Sequence, residues 1–272
     1  MPKNWFIITA CNEFADPAAN LKGCCNDGRA AFELCRDDFN TIGWDGEILF
    51  NRRNTANAAR TAIQQVMDVA SPGDCVWVHN SSHGTIVPIN GRAEHCNVAY
   101  DFDWNDLSTF VSGSQYQEMF RSAKPGVKIY FTTDSCNSGG MIGRALFANN
   151  GNKMIKTSKF LHPPLDLELK LSMYSKAHPK GLVGDLTDVW FISGCGPNAT
   201  DYSADVTDPM TGNSFGAFSH YLFPLLRANK GMKKADLIRL LNGQLAADQY
   251  EQQSMAGGSN DGSFLSTLSK GL

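Results

Sequence analysis

The chain predicts an α/β fold, an α/β/α sandwich around a mostly parallel sheet, on three observations. Short apolar runs rich in β-branched and aromatic residues alternate with longer segments whose apolar residues recur at helical spacing. Pro-Gly turns mark the return from helix to strand at Ser71-Pro72-Gly73-Asp74 and at Lys124-Pro125-Gly126. Such alternation puts helices on both faces of the sheet, and a chain of 272 residues, 42% hydrophobic, can bury the core this needs.

In order, Trp5 to Thr9 reads as the first strand. Asn26 to Phe39 reads as a helix behind an Asn26/Asp27 cap, with Ala30, Ala31, Leu34, Cys35 and Phe39 on one face. Glu47 to Phe50 is the second strand, and Thr55 to Ala70 a helix with Ala59, Ile63, Val66, Met67 and Ala70 along one side. Cys75 to His79 is the third strand, Gln115 to Ala123 a shorter helix, and Val127 to Phe131 a buried strand. Val189 to Ile192 is a further strand, and Phe215 to Asn229 and Met232 to Asp248 are amphipathic helices. Asn149 to Asp185 has six lysines (153, 156, 159, 170, 176 and 180), the breaker His162-Pro163-Pro164 and little periodicity. It predicts an exposed connection between parts 1–148 and 186–272 of a single domain.

A net charge of −3 and a pI near 6.1 offer no basic field, so nucleic acid is not an expected partner. No apolar stretch approaches the roughly 20 residues that span a bilayer, and the N-terminal apolar run is too short for a signal peptide. These readings predict a cytoplasmic monomer away from membranes, with no recruiting segment ahead of the first strand. Eight cysteines read as thiols, since a chain of this length without a secretion signal needs no staples. Cys24-Cys25 lacks zinc-site spacing, and no metal or cofactor is expected.

Chemistry concentrates where strands end. Cys136 lies just past Val127 to Phe131, in Thr132-Thr133-Asp134-Ser135-Cys136-Asn137-Ser138-Gly139-Gly140, and His83 lies just past Cys75 to His79. In a parallel sheet both ends share one edge, where ligand crevices form. A cysteine is nucleophilic as a thiolate, and a neighbouring imidazole assists that and protonates a leaving amine. Spacing disfavours other strand-end cysteine sites. Arg144 falls too late for a C-x5-R phosphate loop, Asp134 and Ser138 stand where a nucleophile elbow wants glycines, and no lysine follows Gly139-Gly140. By alternation His79 belongs to its strand as a packed residue.

Four motifs together resemble the caspase-like cysteine peptidases, and within them the metacaspases. They are Ser81-Ser82-His83-Gly84, Asp134-Ser135-Cys136-Asn137-Ser138-Gly139, Leu21-Lys22-Gly23-Cys24-Cys25-Asn26-Asp27, and Ile192-Ser193-Gly194-Cys195 with Ser203-Ala204-Asp205 downstream, in family order. The resemblance implies a caspase-like sandwich, Cys136 as nucleophile, His83 as general acid/base, and the N–H groups of Gly84 and Cys136 as oxyanion donors. It further implies an acidic pocket of Asp27 and Asp134, walled by Cys24 and Ser81, that takes Arg or Lys from a polypeptide substrate. A catalytically silent binding module is the alternative, and the presence of both Cys136 and His83 argues against it.

Many metacaspases bind calcium through clustered aspartates. Here the matching stretches Thr85 to Arg92 and Val111 to Gln115, and the position of Gly143, lack carboxylates, while Asp101, Asp103 and Asp106 read as strand-edge and helix-cap residues. The expectation is calcium-independent activity. The lysine-rich connection is the expected site of self-processing.

Overall fold

The computed structural model describes residues 2–39, 43–136, 155–174, 189–196, 203–208, 210–250 and 252–265. A central sheet has the order β12-β9-β7-β3-β1-β2. Its strands are β1 (Asn4–Ala10), β2 (Trp44–Phe50), β3 (Cys75–Ser81), β7 (Lys128–Asp134), β9 (Val189–Ser193) and β12 (Met255–Gly257). All pair in parallel except β12, which runs against β9, so the sheet is mostly parallel as the alternation predicts.

Side-chain alternation divides the core between the two faces. On one, Trp77, Tyr130 and Trp190 pack with Phe264 and with α1 (Cys24–Glu33), α5 (Ala217–Ala228) and α6 (Lys234–Ala247), through Ala31, Phe218, Leu222 and Leu241. On the other, Val76, Val78, Ile129, Phe131 and Phe191 meet α2 (Ala56–Val69) and α3 (Gly113–Arg121) through Ile63, Met67, Tyr116 and Phe120. Each large apolar side chain taken from water here contributes about 1.5 to 3 kcal/mol.

Two small sheets flank the edge where β3 and β7 end. An antiparallel one joins β4 (Gly84–Ile89), β5 (Arg92–Val98) and β6 (Phe110–Ser112). The second has the order β11-β10-β8, from β8 (Ile155–Ser158), β10 (Ala204–Thr207) and β11 (Ser214–Gly216). The helix α4 (Leu165–Met173) follows β8. Among the described residues no helix is long and apolar enough to cross a membrane.

Two expectations need correction. The first helix begins at Cys24 with Gly23 as its cap, so Asp27 sits inside the first turn and its carboxylate is turned into the protein. Within the connection, 155–174 forms a strand and a helix, and Lys159, Phe160 and Leu167 are buried, not exposed. The hairpin of β4 and β5 carries an unread signal, Asn90-Gly91, whose φ angles of 51° and 74° suit a two-residue turn matched to strand twist. Lysines 153, 176 and 180 and the boundaries at 148/149 and 185/186 lie outside the described residues.

Candidate active site

Strand register aligns the site. Ser81 pairs with Asp134 across β3 and β7, Ala10 pairs with Ser81 across β1 and β3, and Thr133 pairs with Ser193 across β7 and β9. Residues just beyond these pairs therefore emerge at one edge, His83 from β3 and Cys136 from β7. The bare backbone of Gly84 then lies against the Cys136 main chain, since a Cβ on it would fall 1.6 Å from the Cys136 carbonyl oxygen. Only glycine permits that approach.

His83 is buried and donates from Nε2 to the Ala19 carbonyl at 2.8 Å. That bond fixes the tautomer and leaves Nδ1, which has no hydrogen-bond partner among the described residues, as the nitrogen available for proton transfer. Burial pushes the imidazole down to about 4, against the Ala19 and Lys159 carbonyls, so it rests neutral. Ala19 ends a short helical turn, Pro17–Ala19, capped by Asp16, and a backbone acceptor of this kind has no sequence signature. His79 donates to or accepts from Thr132 through Nδ1 at 2.9 Å and packs on Trp77 and Phe223. It is a core residue.

The Cys136 thiol is also buried. It accepts from the Ser203 N–H at 2.9 Å and contacts the Ser203 carbonyl at 3.4 Å. Burial pushes the thiol well up, the adjacent Cys195 thiol adds to this, and Ser203 and Ser158 act against it. Cys136, Cys195 and Phe160 form one apolar cluster with Ile86 against it.

Asp27, Asp134, Cys24 and Ser81 converge on a single group, the ammonium of Lys159. Its Nζ donates to Ser81 Oγ at 2.9 Å and to Asp27 Oδ2 at 3.2 Å, and it lies 3.2 Å from Asp134 Oδ1. Cys24 is buried beside it, the ammonium and the Ser81 hydroxyl both acting against the upward push of burial on its thiol. The carboxylates are held from behind. Asp134 accepts from Ser203 Oγ and from the N–H and hydroxyl of Ser219, and Asp27 from Ser81 Oγ and the Gly216 N–H. Gly216 leaves the space for the ammonium, since a Cβ there would stand 2.4 Å from Lys159 Nζ and 2.0 Å from Asp134 Oδ2.

One ammonium cannot offset two buried carboxylates equally. Burial raises both, but Lys159 and the Ser203 and Ser219 donors hold Asp134 below the ordinary carboxylate range. Asp27 is pushed by burial up to about 7, with Lys159 acting against the rise. Asp205 accepts from the N–H groups of Lys22 and Gly23, which anchors the first turn of α1 to β10.

The backbone around Lys159 is bound as an added strand. β8 pairs antiparallel with β10, Lys159 N–H donates to the Ser203 carbonyl at 2.9 Å, and the Lys159 carbonyl accepts from the Gly84 N–H at 2.8 Å. Beyond it, Leu161 N–H donates to the Gly84 carbonyl at 2.9 Å. Residues 155–161 thus cross the site with a lysine in the acidic pocket and its carbonyl on the Gly84 N–H. Residues 137–139, after the cysteine, lie outside the described residues.

The aspartates nearest the stretches read for calcium are engaged by protein N–H groups. Asp101 accepts from Ala56 N–H, Asp103 from Asn105 and Asp106 from Ser108, and Thr85 to Arg92 carries no carboxylate. Among the described residues no three His, Cys, Asp or Glu side chains cluster closely enough to hold a metal ion. The position of Gly143 lies outside the described residues.

Comparison with known proteins agrees with the fold. A caspase domain matches residues 3–265. Metacaspase-1 of Ajellomyces capsulatus is 24% identical over 281 residues, covering 91% of this chain and 77% of that protein. Metacaspase-7 of Arabidopsis thaliana is 28% identical over 132 residues, 46% of this chain and 32% of that protein. The chain also spans only 42% of Metacaspase-1B of Aspergillus niger, so several relatives are much longer than the match. Of solved structures, a protein from Geobacter sulfurreducens superposes with a TM-score of 0.66 at 19% identity, covering 96% of this chain and 95% of that one. Caspase-1 from Spodoptera frugiperda gives 0.59 at 14% identity, covering 94% and 86%.

Proposed function

The chain belongs to the caspase-domain family of cysteine peptidases, and from that premise we propose an endopeptidase that cleaves after Lys or Arg through Cys136 and His83. Its first substrate is its own Lys159–Phe160 bond. One observation carries the reading: Lys159 is buried between Asp27 and Asp134 while its carbonyl oxygen accepts from the Gly84 N–H.

The chemistry follows from that placement. Cys136 Sγ attacks the Lys159 carbonyl carbon, and the thiol proton passes to His83 Nδ1. The oxygen that gains negative charge already faces the Gly84 N–H, and the Cys136 N–H is the second donor assigned to it. A fixed donor of this kind is worth about 3 to 4 kcal/mol in acyl transfer. His83 then delivers the proton to the Phe160 nitrogen, the C–N bond breaks, and water hydrolyses the Lys159 thioester to a carboxylate. The Ala19 carbonyl stabilises the imidazolium that forms transiently.

Until that bond is cut, Lys159 fills the pocket that other substrates need. The connection is therefore both substrate and inhibitor. No step uses calcium.

Mass spectrometry of purified protein beside Cys136→Ala tests the proposal. The expected result is one cut after Lys159, absent in the cysteine variant and in Lys159→Ala, with new hydrolysis of a short Arg-ending amide accompanying the cut. Persistence of the cut in Cys136→Ala would overturn it.

A further inference from the structure

Three residues before Lys159 the chain seats a second lysine in surroundings that cleavage itself does not require. In the pairing of β8 with β10, Thr157 stands opposite Asp205 and Lys156 opposite Val206. Side chains alternate along a strand, so Thr157 shares the α1 side with Lys159, and Lys156 shares the side of Val206, which is buried in the core formed by α5 and α6. There the Lys156 ammonium lies 4.0 Å from the centroid of the Tyr250 ring and donates to the Gln249 carbonyl at 3.0 Å.

These partners are held in place without help from the lysine. Tyr250 N–H donates back to the Leu245 carbonyl at 2.9 Å, closing α6, and its ring meets the Tyr221 ring edge-on at 6.0 Å. The Tyr221 hydroxyl donates to Asp248. Gln249 adopts φ of +60°, a left-handed conformation that costs a residue with a Cβ about 1 kcal/mol or more. The closing turn presents the Gln249 carbonyl to Lys156 at the C-terminal end of α6, where the helix dipole is negative, and the Asp248 carboxylate acts on the Tyr250 ring. A ring face, a carbonyl, a helix C-terminus and a carboxylate all favour a cation.

We infer that Tyr250 and the Gln249 carbonyl form a subsite for a basic side chain at the fourth residue before the cleaved bond. Substrates with Lys or Arg both there and immediately before the cleaved bond are then the best ones. The inference rests on the reading of residues 155–161 as bound substrate, and it adds a second specificity determinant to that site.

Two sets of short peptide amides of the form X-Thr-Ser-Z test it on the purified full chain, reading kcat/KM. With Z fixed as Lys, changing X from Gln to Lys should raise kcat/KM about tenfold, and X as Glu should fall below Gln. With X fixed as Lys, changing Z from Lys to Glu should abolish cleavage. Tyr250→Leu should reduce the Lys-to-Gln ratio to about twofold, whereas Tyr250→Phe, which keeps the ring face, should retain it. Equal rates for X as Lys, Gln and Glu, with Z still required to be basic, would overturn the subsite and leave the basic pocket standing. Indifference to Z, or no cleavage at all, would overturn the underlying reading and this inference with it.

Discussion

Lys159 and Asp134 make an ion pair 3.2 Å apart with both side chains fully buried, between a residue of the connection and the last residue of β7. Breaking such a pair from one side leaves a buried charge uncompensated, at a cost of about 3 to 5 kcal/mol. In a Cys136→Ala background, where the connection stays intact, Lys159→Gln should lower unfolding free energy by about 3 kcal/mol in urea. A change below about 1 kcal/mol would mean that the ammonium does not reside in this pocket.

The two pocket carboxylates should respond differently to substitution. Asp134 is held ionised by four partners, so Asp134→Asn should lower kcat/KM on Lys and Arg substrates at least about tenfold at any pH near neutrality, from the 1.5 to 3 kcal/mol of a charge-assisted contact. Asp27, pushed up to about 7, is partly protonated there when the lysine is bound. The loss caused by Asp27→Asn should therefore grow between about pH 6 and pH 8. Equal, pH-independent losses for both variants would contradict this division.

Gly216 offers a purely spatial test. Its backbone is in an ordinary extended conformation with φ of −77°, so alanine there introduces no conformational strain. The added Cβ would nevertheless occupy the ammonium position, 2.4 Å from Nζ and 2.6 Å from Asp27 Oδ2. Gly216→Ala should abolish cleavage after both Lys and Arg while Cys136 still reacts with a small alkylating agent. Wild-type turnover by this variant would place the basic side chain elsewhere.

That Cys136 and His83 share one sheet edge was legible because both follow apolar runs, and parallel strands bring such ends together. The paired carboxylates were legible only through the motifs around them. Asp27 on its own reads as a helix cap, and nothing local reveals that its carboxylate meets β11. Lys159 could not be singled out from the other lysines of the connection, because β8 has four residues and gains its order from β10, far along the chain. Ala19 and Gly216 contribute a carbonyl and an empty volume, which leave no trace in side-chain chemistry. The β4 and β5 hairpin was readable from Asn90-Gly91.

Stability should fall on mild acidification. Burial holds His79 at about 3 and His83 and His95 at about 4, whereas each titrates near 6.5 when unfolded. Between about pH 4 and 6.5 the unfolded chain thus binds more protons at these sites, and their contribution, complete above 6.5, is lost as pH falls. Asp27 and Asp205, both raised by burial, act in the opposite sense. His220, also lowered by burial, acts with the other histidines, so these groups outnumber the raised carboxylates and stability falls as pH falls. Urea denaturation of Cys136→Ala across that range measures it, and His95→Gln should flatten the slope. Stability rising toward pH 4.5 would show that the histidines are not held neutral.

Peptide turnover in excess chelator should match that in millimolar calcium within about twofold. A calcium site needs six to eight oxygens, several of them charged. Asp101 is committed to the Ala56 N–H at 2.9 Å, in the first turn of α2, and Asp103 accepts from both the backbone and the side chain of Asn105. Asp106 accepts from the N–H and hydroxyl of Ser108. Gathering these carboxylates around an ion would take an acceptor from the first turn of α2 and break the turn before β6, at about 1 kcal/mol for each hydrogen bond lost. The arms of the β4 and β5 hairpin that face the site offer no replacement up to Arg92. Stimulation by calcium beyond about tenfold, lost in Asp101→Asn, would show that the binding energy overcomes those costs and that the hairpin side of the site is rebuilt around a cation.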